Sequence, residues 1–190
     1  MRVGQPLPDG LAPPVPGLFT PGPKVGAILL SHAHTDHAGL LAHTPGDVPI
    51  YLSQGTSKML LAAGIFAGQE AIPRARQRTL RHREPVQIGD FTITAFPVDR
   101  STFDCLALLI EADGQRVLYS GELRMHGRKP GMATALLEAL RDLPVDVLLM
   151  EGTHMGGDRA RGPTEYQLED DILRHLQTAP GLVFAANSPF

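Results

Sequence analysis

The chain has 190 residues, of which 43% are hydrophobic, and a formal net charge of −3 at pH 7. This length and apolar content allow one folded domain with a buried core and exclude a disordered polypeptide. The acidic balance excludes a generally basic nucleic-acid-binding protein, although it is compatible with a local basic patch. The sequence shows no membrane-length apolar run, no leader pattern and a single cysteine, Cys105. We therefore expect a cytoplasmic protein without a membrane partner or an internal disulfide.

The chain opens with a proline-rich segment over residues 1–23, which we expect to run along the surface ahead of one domain at 24–190. Residues 25–30 form an unbroken apolar run, which predicts a strand buried on both faces. A short helix is expected to start at Ala38. Further along, residues 49–52 are predicted to form a strand.

A helix over 53–64 is predicted next, with Ser53 or Thr56 as its N-cap. Arginines then crowd a ten-residue segment, at Arg74, Arg76, Arg78, Arg81 and Arg83. Such a run is typical either of a solvated connecting segment or of a site that binds a phosphate backbone.

Strands dominate the middle of the chain, and helices alternate with strands after it. Period-two patterns predict a hairpin over 86–96 and strands at 105–110 and 116–119, which Asp113-Gly114 joins as a tight turn. We interpret Cys105, at the start of an apolar run, as a buried structural thiol. The last predicted elements are a helix over 132–143, a strand at 145–150, a helix from Thr164 to Gln177 and a strand at 182–186. The pattern is that of one mixed α/β domain.

The sequence His32-Ala-His-Thr-Asp-His37 concentrates three imidazoles and one carboxylate between the first predicted strand and the first predicted helix. Histidine nitrogens and aspartate oxygens are common metal ligands. In an extended backbone, His32 and His34 leave the same face and can reach one metal, while Asp36 and His37 point to a second position. Two cations so placed would activate a water for hydrolysis. The alternative is a loop with capping and surface histidines.

This motif resembles the signature of the metallo-β-lactamase superfamily. The segments 96–101, 118–124 and 148–154 resemble those of its RNA-processing branch in order and spacing, and that branch contains the J-type ribonucleases and the cleavage-and-polyadenylation nucleases. The resemblance implies an αβ/βα four-layer sandwich, two bound zinc or manganese ions, and hydrolysis of RNA or another phosphodiester. It implies that Asp36 orients the nucleophile, and it leaves His154 as a spare candidate ligand.

Two positions depart from the family pattern. Arg100 stands where the resemblance implies a third histidine ligand, and a guanidinium cannot ligate a cation. Glu122 stands where it implies a bridging aspartate, so Glu122 is a candidate ligand with a longer side chain. We predict that Arg100 and Glu122 form an ion pair that fills part of the metal site. Arg100 is also a candidate contact for a substrate phosphate.

The chain is also expected to lack parts of the family fold at both ends, as a fragment would. An incomplete sandwich would expose strand edges and apolar faces, which predicts a homodimer. Three functions stay open at this point: a metal-dependent phosphodiesterase, a degenerate relative that serves as a binding or scaffold module, and a thioester or lactone hydrolase.

Overall fold

The computed structural model describes residues 7–8, 10–152 and 162–181. Within these ranges, strands and helices follow one another in a mixed α/β order, as predicted. The strands are β1 (Ile28–Leu29), β2 (Ile50–Leu52), β3 (Gln77–Thr79), β4 (Val86–Ile88), β5 (Phe91–Val98), β6 (Cys105–Ala112), β7 (Gln115–Tyr119) and β8 (Val147–Leu149). The α-helices are α1 (Thr35–Ala38), α2 (Gln54–Phe66), α3 (Gly131–Leu140) and α4 (Glu165–Thr178). Short 3₁₀ turns lie at Leu41–His43 and Arg74–Arg76.

The strands form two sheets. The first has the order β1-β2-β3 and is parallel throughout. The second has the order β4-β5-β6-β7-β8; its first four strands form an antiparallel meander, and β8 runs parallel to β7. The predicted hairpins are confirmed, and the turn between β6 and β7 has positive φ at Asp113 (51°) and Gly114 (74°), as a tight hairpin turn requires.

Side chains alternate between the two faces of each strand, and the buried apolar ones form three clusters. One lies between the first sheet and its helices and contains Leu30, Ile50, Leu52 and Leu60. The next lies between the sheets and contains Ile93, Ala95, Leu106 and Leu108, against which Leu29 and Tyr51 pack. The third lies beneath α3 and contains Phe96, Ala107, Leu109, Leu118 and Leu136. Neighbouring residues of one strand thus face opposite layers, and the order is helix, sheet, sheet, helix: the predicted αβ/βα four-layer sandwich.

Two predictions around the first strand need correction. β1 spans only two residues, Ile28 and Leu29, and both are half-buried rather than buried. β1 forms one edge of the described three-stranded sheet, so only one of its sides is paired there. The predicted helix starts earlier, at Thr35 instead of Ala38, because the His34 carbonyl already accepts hydrogen bonds from the amides of His37 and Ala38.

The arginine run is not uniformly exposed, because Arg76 is buried while the other four arginines are exposed, and Arg76 fits neither the solvated connector nor the phosphate contact. Residues 77–79 form β3, and the Arg76 side chain is buried beside it. Arg76 donates hydrogen bonds to the carbonyls of Val48 and Leu41 and to the Thr44 hydroxyl. Burying this guanidinium is tolerated because three oxygens satisfy its donors.

Several further predictions are confirmed. Ser53 caps α2 by accepting a hydrogen bond from the Thr56 amide, and Thr164 opens α4 with a capping box. Cys105 is 1% exposed, and burial raises the pKa of its thiol to about 12, as befits a structural cysteine. None of the described helices is both long and apolar enough to span a membrane. The predicted strand at 182–186 and the candidate ligand His154 lie outside the described residues.

Candidate metal centre

The first two histidines of the motif lie at the junction of the two sheets. They follow β1 in extended backbone, and the Ser31 carbonyl accepts a hydrogen bond of 3.0 Å from the Leu106 amide at the start of β6. His32 is fully buried, whereas His34 is half-buried and its Nε2 lies 3.5 Å from the Ser101 hydroxyl. The Nδ1 atom of His32 lies 2.9 Å from the Ser31 hydroxyl, which fixes the ring and leaves Nε2 facing the site.

The other two motif residues lie on the first turn of α1. The Asp36 side chain is 74% exposed and that of His37 is 23% exposed. Asp36 Oδ2 lies 3.5 Å from His37 Nε2, and the His37 ring centre lies 4.1 Å from that of His32. The switch from extended backbone to helix therefore turns these two side chains toward a second, more open position next to His32.

Glu122 reaches the site from the turn after β7. Gly121 has φ 59° there, and a Cβ atom on it would lie 2.5 Å from the Leu106 carbonyl oxygen, so only glycine permits this close approach. Glu122 Oε1 lies 3.1 Å from His37 Nε2, and Oε2 lies 3.4 Å from His32 Nε2. The carboxylate therefore lies between the two parts of the motif.

These contacts divide the centre into two halves. The buried half consists of His32, His34 and Oε2 of Glu122. The open half consists of Asp36, His37 and Oε1 of Glu122. In each of these triads, a set of candidate ligand atoms lies within 4.8 Å of one another.

Arg100 enters the centre from the loop after β5. Its Nη2 atom lies 2.5 Å from Glu122 Oε2, which confirms the predicted ion pair. The side chains of Arg100 and Glu122 are 32% and 17% exposed, so the contact is only partly screened by water. A fixed positive charge thus stands against the carboxylate oxygen of the buried half.

The protonation of the centre follows from burial and from these charges. Burial, with smaller contributions from the neighbouring histidines, lowers the pKa of His32 to about 4. Burial and then the Arg100 charge lower the pKa of His34. Although burial opposes it, the hydrogen bond from His37 and the Arg100 charge hold the pKa of Glu122 below its usual value. At neutral pH the buried half therefore offers unprotonated nitrogens and an ionised carboxylate, as metal binding requires.

The donor atoms of the centre fit a divalent cation. His32 Nε2 is buried and, among the described residues, has no partner in hydrogen-bonding geometry, whereas the buried Glu122 Oε2 contacts Arg100 Nη2 in the ion pair. An orphaned buried nitrogen is rare in a folded protein unless a ligand or an ion completes it. Imidazole nitrogens with carboxylate oxygens are also a donor set that zinc and manganese accept. The Arg100 charge, which lies against Glu122 Oε2, opposes a cation in the buried half.

A cavity beside the centre was not predicted from the sequence. It has a volume of about 410 Å³, and its lining includes Arg100, Ser101, Phe103 and Lys129. The Phe103 side chain is 60% exposed, and Lys129 Nζ lies 5.8 Å from the centre of its ring. Phe103 and Lys129 are separated along the chain and belong to no motif, so only the folded arrangement reveals them.

Comparison with known proteins places these observations in a family. A family model described as a beta-lactamase superfamily domain matches residues 4–184. Ribonuclease J of Corynebacterium glutamicum is 27% identical over 176 residues, which cover 86% of this chain and 24% of that protein. Ribonuclease J of Mycobacterium tuberculosis (strain H37Rv) is 28% identical over 169 residues, covering 85% of this chain and 29% of that protein. The chain thus spans about a quarter of the length of these relatives.

A solved structure shares the fold over nearly the whole chain. It is a protein of unknown function from Enterococcus faecalis V583, with a TM-score of 0.72 and 25% sequence identity. The match covers 93% of this chain and 50% of that one. The resemblance predicted from the His32–His37 motif is therefore confirmed, and the chain belongs to the beta-lactamase superfamily.

Proposed function

We propose that this chain is a metal-dependent hydrolase that cleaves phosphodiesters, with RNA as the substrate class. The convergence of two histidine-containing triads on the single carboxylate of Glu122 carries this proposal. Zinc is the cation we expect, and manganese is the alternative. The Ribonuclease J relatives, at 27% and 28% identity, support the substrate class.

In this proposal the residues of the centre either bind the cation or position other groups. His32, His34, Asp36, His37 and Glu122 are the candidate ligands. A bound cation would acidify water and stabilise the negative charge that develops on the substrate. Asp36, whose carboxylate is 74% exposed, accepts a hydrogen bond from the attacking water and orients it. Ser31 holds the His32 ring through the 2.9 Å contact to Nδ1.

The neighbouring cavity supports a nucleic-acid substrate over a thioester or a lactone. An exposed aromatic ring can stack a base, and a lysine beside it can neutralise a phosphate. Phe103 and Lys129 are such an aromatic ring and lysine. Arg100 lines the same cavity and also contacts Glu122, so the cavity adjoins the centre. Arg100 keeps its predicted role as a candidate phosphate contact on these grounds. The buried Arg76 no longer supports phosphate binding.

A second candidate is a non-catalytic binding or scaffold module. The Arg100–Glu122 ion pair favours it, because a positive charge inside a metal centre weakens cation binding. This candidate predicts that the purified chain binds one cation weakly or none and turns over no substrate.

The homodimer predicted from the sequence remains a proposal. Exposed apolar side chains on β8 and α4 support it, among them Leu148 (56% exposed) and Leu173 (49% exposed). Sedimentation equilibrium tests it: a dimer is expected, and a monomer at micromolar concentration would overturn it.

The central test is turnover of a labelled single-stranded RNA and of bis(p-nitrophenyl) phosphate by zinc- or manganese-loaded protein. Asp36→Asn is expected to lower turnover roughly 100-fold, while Asp170→Asn, on the exposed surface of α4, should leave it unchanged. Turnover of a thioester or lactone without phosphodiesterase activity would overturn the substrate class. Failure to turn over any of these substrates would favour the second candidate.

The role of the cavity has its own test. Phe103→Ala is expected to raise the KM for RNA while leaving that for bis(p-nitrophenyl) phosphate unchanged, because only RNA offers neighbouring bases to the ring. The matched control is Phe66→Ala, which alters a side chain 79% exposed at the end of α2. Equal effects of Phe103→Ala on both substrates would contradict a stacking role.

A further inference from the structure

We infer that Arg100 takes the place of a cation in the buried half of the centre, so that the chain holds a single divalent cation, in the open half. The inference rests on the proposed function only in taking the centre to bind metal. It adds the number of ions and their position.

The two oxygens of Glu122 serve different halves. Oε1 lies 3.1 Å from His37 Nε2 in the open half, whereas Oε2 lies 3.4 Å from His32 Nε2 in the buried half. Arg100 Nη2 contacts Oε2, at 2.5 Å. The arginine therefore neutralises the oxygen that faces His32 and leaves the one that faces His37 to the open half.

The charge of Arg100 acts on the rest of the buried half as well. A guanidinium carries a permanent positive charge and no lone pair, so it repels a dication and cannot bind one. Arg100 therefore supplies positive charge to the buried half without using its imidazole nitrogens.

The open half differs in both charge and access. Among the described residues, its ion-pair contacts join only His37, Asp36 and Glu122. Asp36 is largely exposed, so a hydrated cation reaches this half directly from solvent. A histidine, an aspartate and one glutamate oxygen leave room in the coordination sphere for water, as catalytic metal sites do.

Zinc counting tests the inference without reference to activity. The chelator-treated 190-residue chain is loaded with zinc and freed of excess ion, and the bound zinc is measured by mass spectrometry. We expect one zinc per chain for the wild type, and two for Arg100→Ala and Arg100→His, in which the repelling charge is gone. Arg100→Lys retains the charge and should keep one zinc, as should Arg141→Ala, a matched control at the exposed end of α3.

The position of the ion is read from two single variants of the wild type. His37→Ala is expected to lose the zinc and His34→Ala to retain it, with circular dichroism confirming that both fold. Two ions or none in the wild type would overturn the inference, as would loss of zinc from His34→Ala with retention in His37→Ala. If Arg100→Ala does not fold, this histidine pair decides alone. One bound ion without turnover would support the inference and overturn the proposed function, whereas two ions with turnover would do the reverse.

Discussion

The two halves of the centre share one carboxylate but differ in how the fold treats them. The buried half lies at the sheet junction, where His32 is fully buried and Arg100 contributes charge. The open half lies on the first turn of a four-residue helix, where Asp36 faces solvent. The comparison teaches that candidate ligands only two to five residues apart along the chain can lie in different surroundings: His32 belongs to the core, whereas Asp36 faces solvent.

The largest expected difference between the halves is in stability. In metal-free protein, His32→Ala should lower the free energy of unfolding by about 3 kcal/mol, because it leaves a cavity at the sheet junction. His37→Ala should cost less than about 1 kcal/mol, since its ring is partly exposed. Urea denaturation with chelator present measures both values. Equal losses for the two variants would contradict the division into a buried and an open half.

The pH dependence of stability is expected to follow His32. Its pKa of about 4 in the folded chain lies below the ordinary 6.5, so the unfolded chain binds a proton in this range that the folded chain does not. Stability should therefore be fully present above pH 6.5 and fall by about 2 kcal/mol between pH 6.5 and 4.5. The lowered pKa values of His34 and Glu122 act in the same direction.

Chemical denaturation of metal-free protein across this pH range provides the measurement. His32→Gln should reduce the slope, whereas His175→Gln, on the exposed face of α4, should preserve it. A flat profile in the wild type, or one unchanged by His32→Gln, would show that His32 is not held unprotonated by burial.

The Arg100–Glu122 ion pair should contribute less than the buried imidazole. Arg100→Ala in metal-free protein is expected to cost about 1 kcal/mol, because it removes the cation beside a mostly buried carboxylate, and solvent screens part of the contact. Arg100→Lys should recover part of that loss. Denaturation midpoints at low and high salt test the charge, since the cost should shrink in high salt. A salt-independent cost would indicate lost packing instead.

The smallest expected effects on stability are those of replacing the two serines that contact the motif histidines. Ser31→Ala should cost about 1 kcal/mol, because Ser31 is buried and its hydroxyl lies 2.9 Å from His32 Nδ1. Ser101→Ala should change stability by less than about 0.5 kcal/mol, since its 3.5 Å contact to His34 is long and exposed. Matched melting curves of the two variants measure the difference. A larger loss for Ser101→Ala would contradict the account that, within the buried half, His32 is held more tightly than His34.

Much of the fold was predictable because it depends on local patterns. The alternation in β5 and β6 marks which residues face each layer, and Asp113-Gly114 fixes the hairpin between β6 and β7. The Thr164 capping box marked the start of α4. Arg76 was not predictable, because its burial depends on acceptors from Leu41, Thr44 and Val48, which only folding brings together.

The centre was predictable in composition but not in arrangement. The motif from His32 to His37 and the Arg100–Glu122 contact both followed from residue types at given positions. The orientation of Glu122, with one oxygen toward each half, depends on the close approach of Gly121 to Leu106. The pairing of Phe103 with Lys129 beside the centre likewise depends on two loops meeting.

Anomalous diffraction from zinc-soaked crystals tests the central claim most directly. The account predicts a single strong zinc peak within bonding distance of His37 Nε2 and Glu122 Oε1, with Arg100 still against Oε2. A zinc peak bound by His32 and His34, with or without a second ion in the open half, would contradict it.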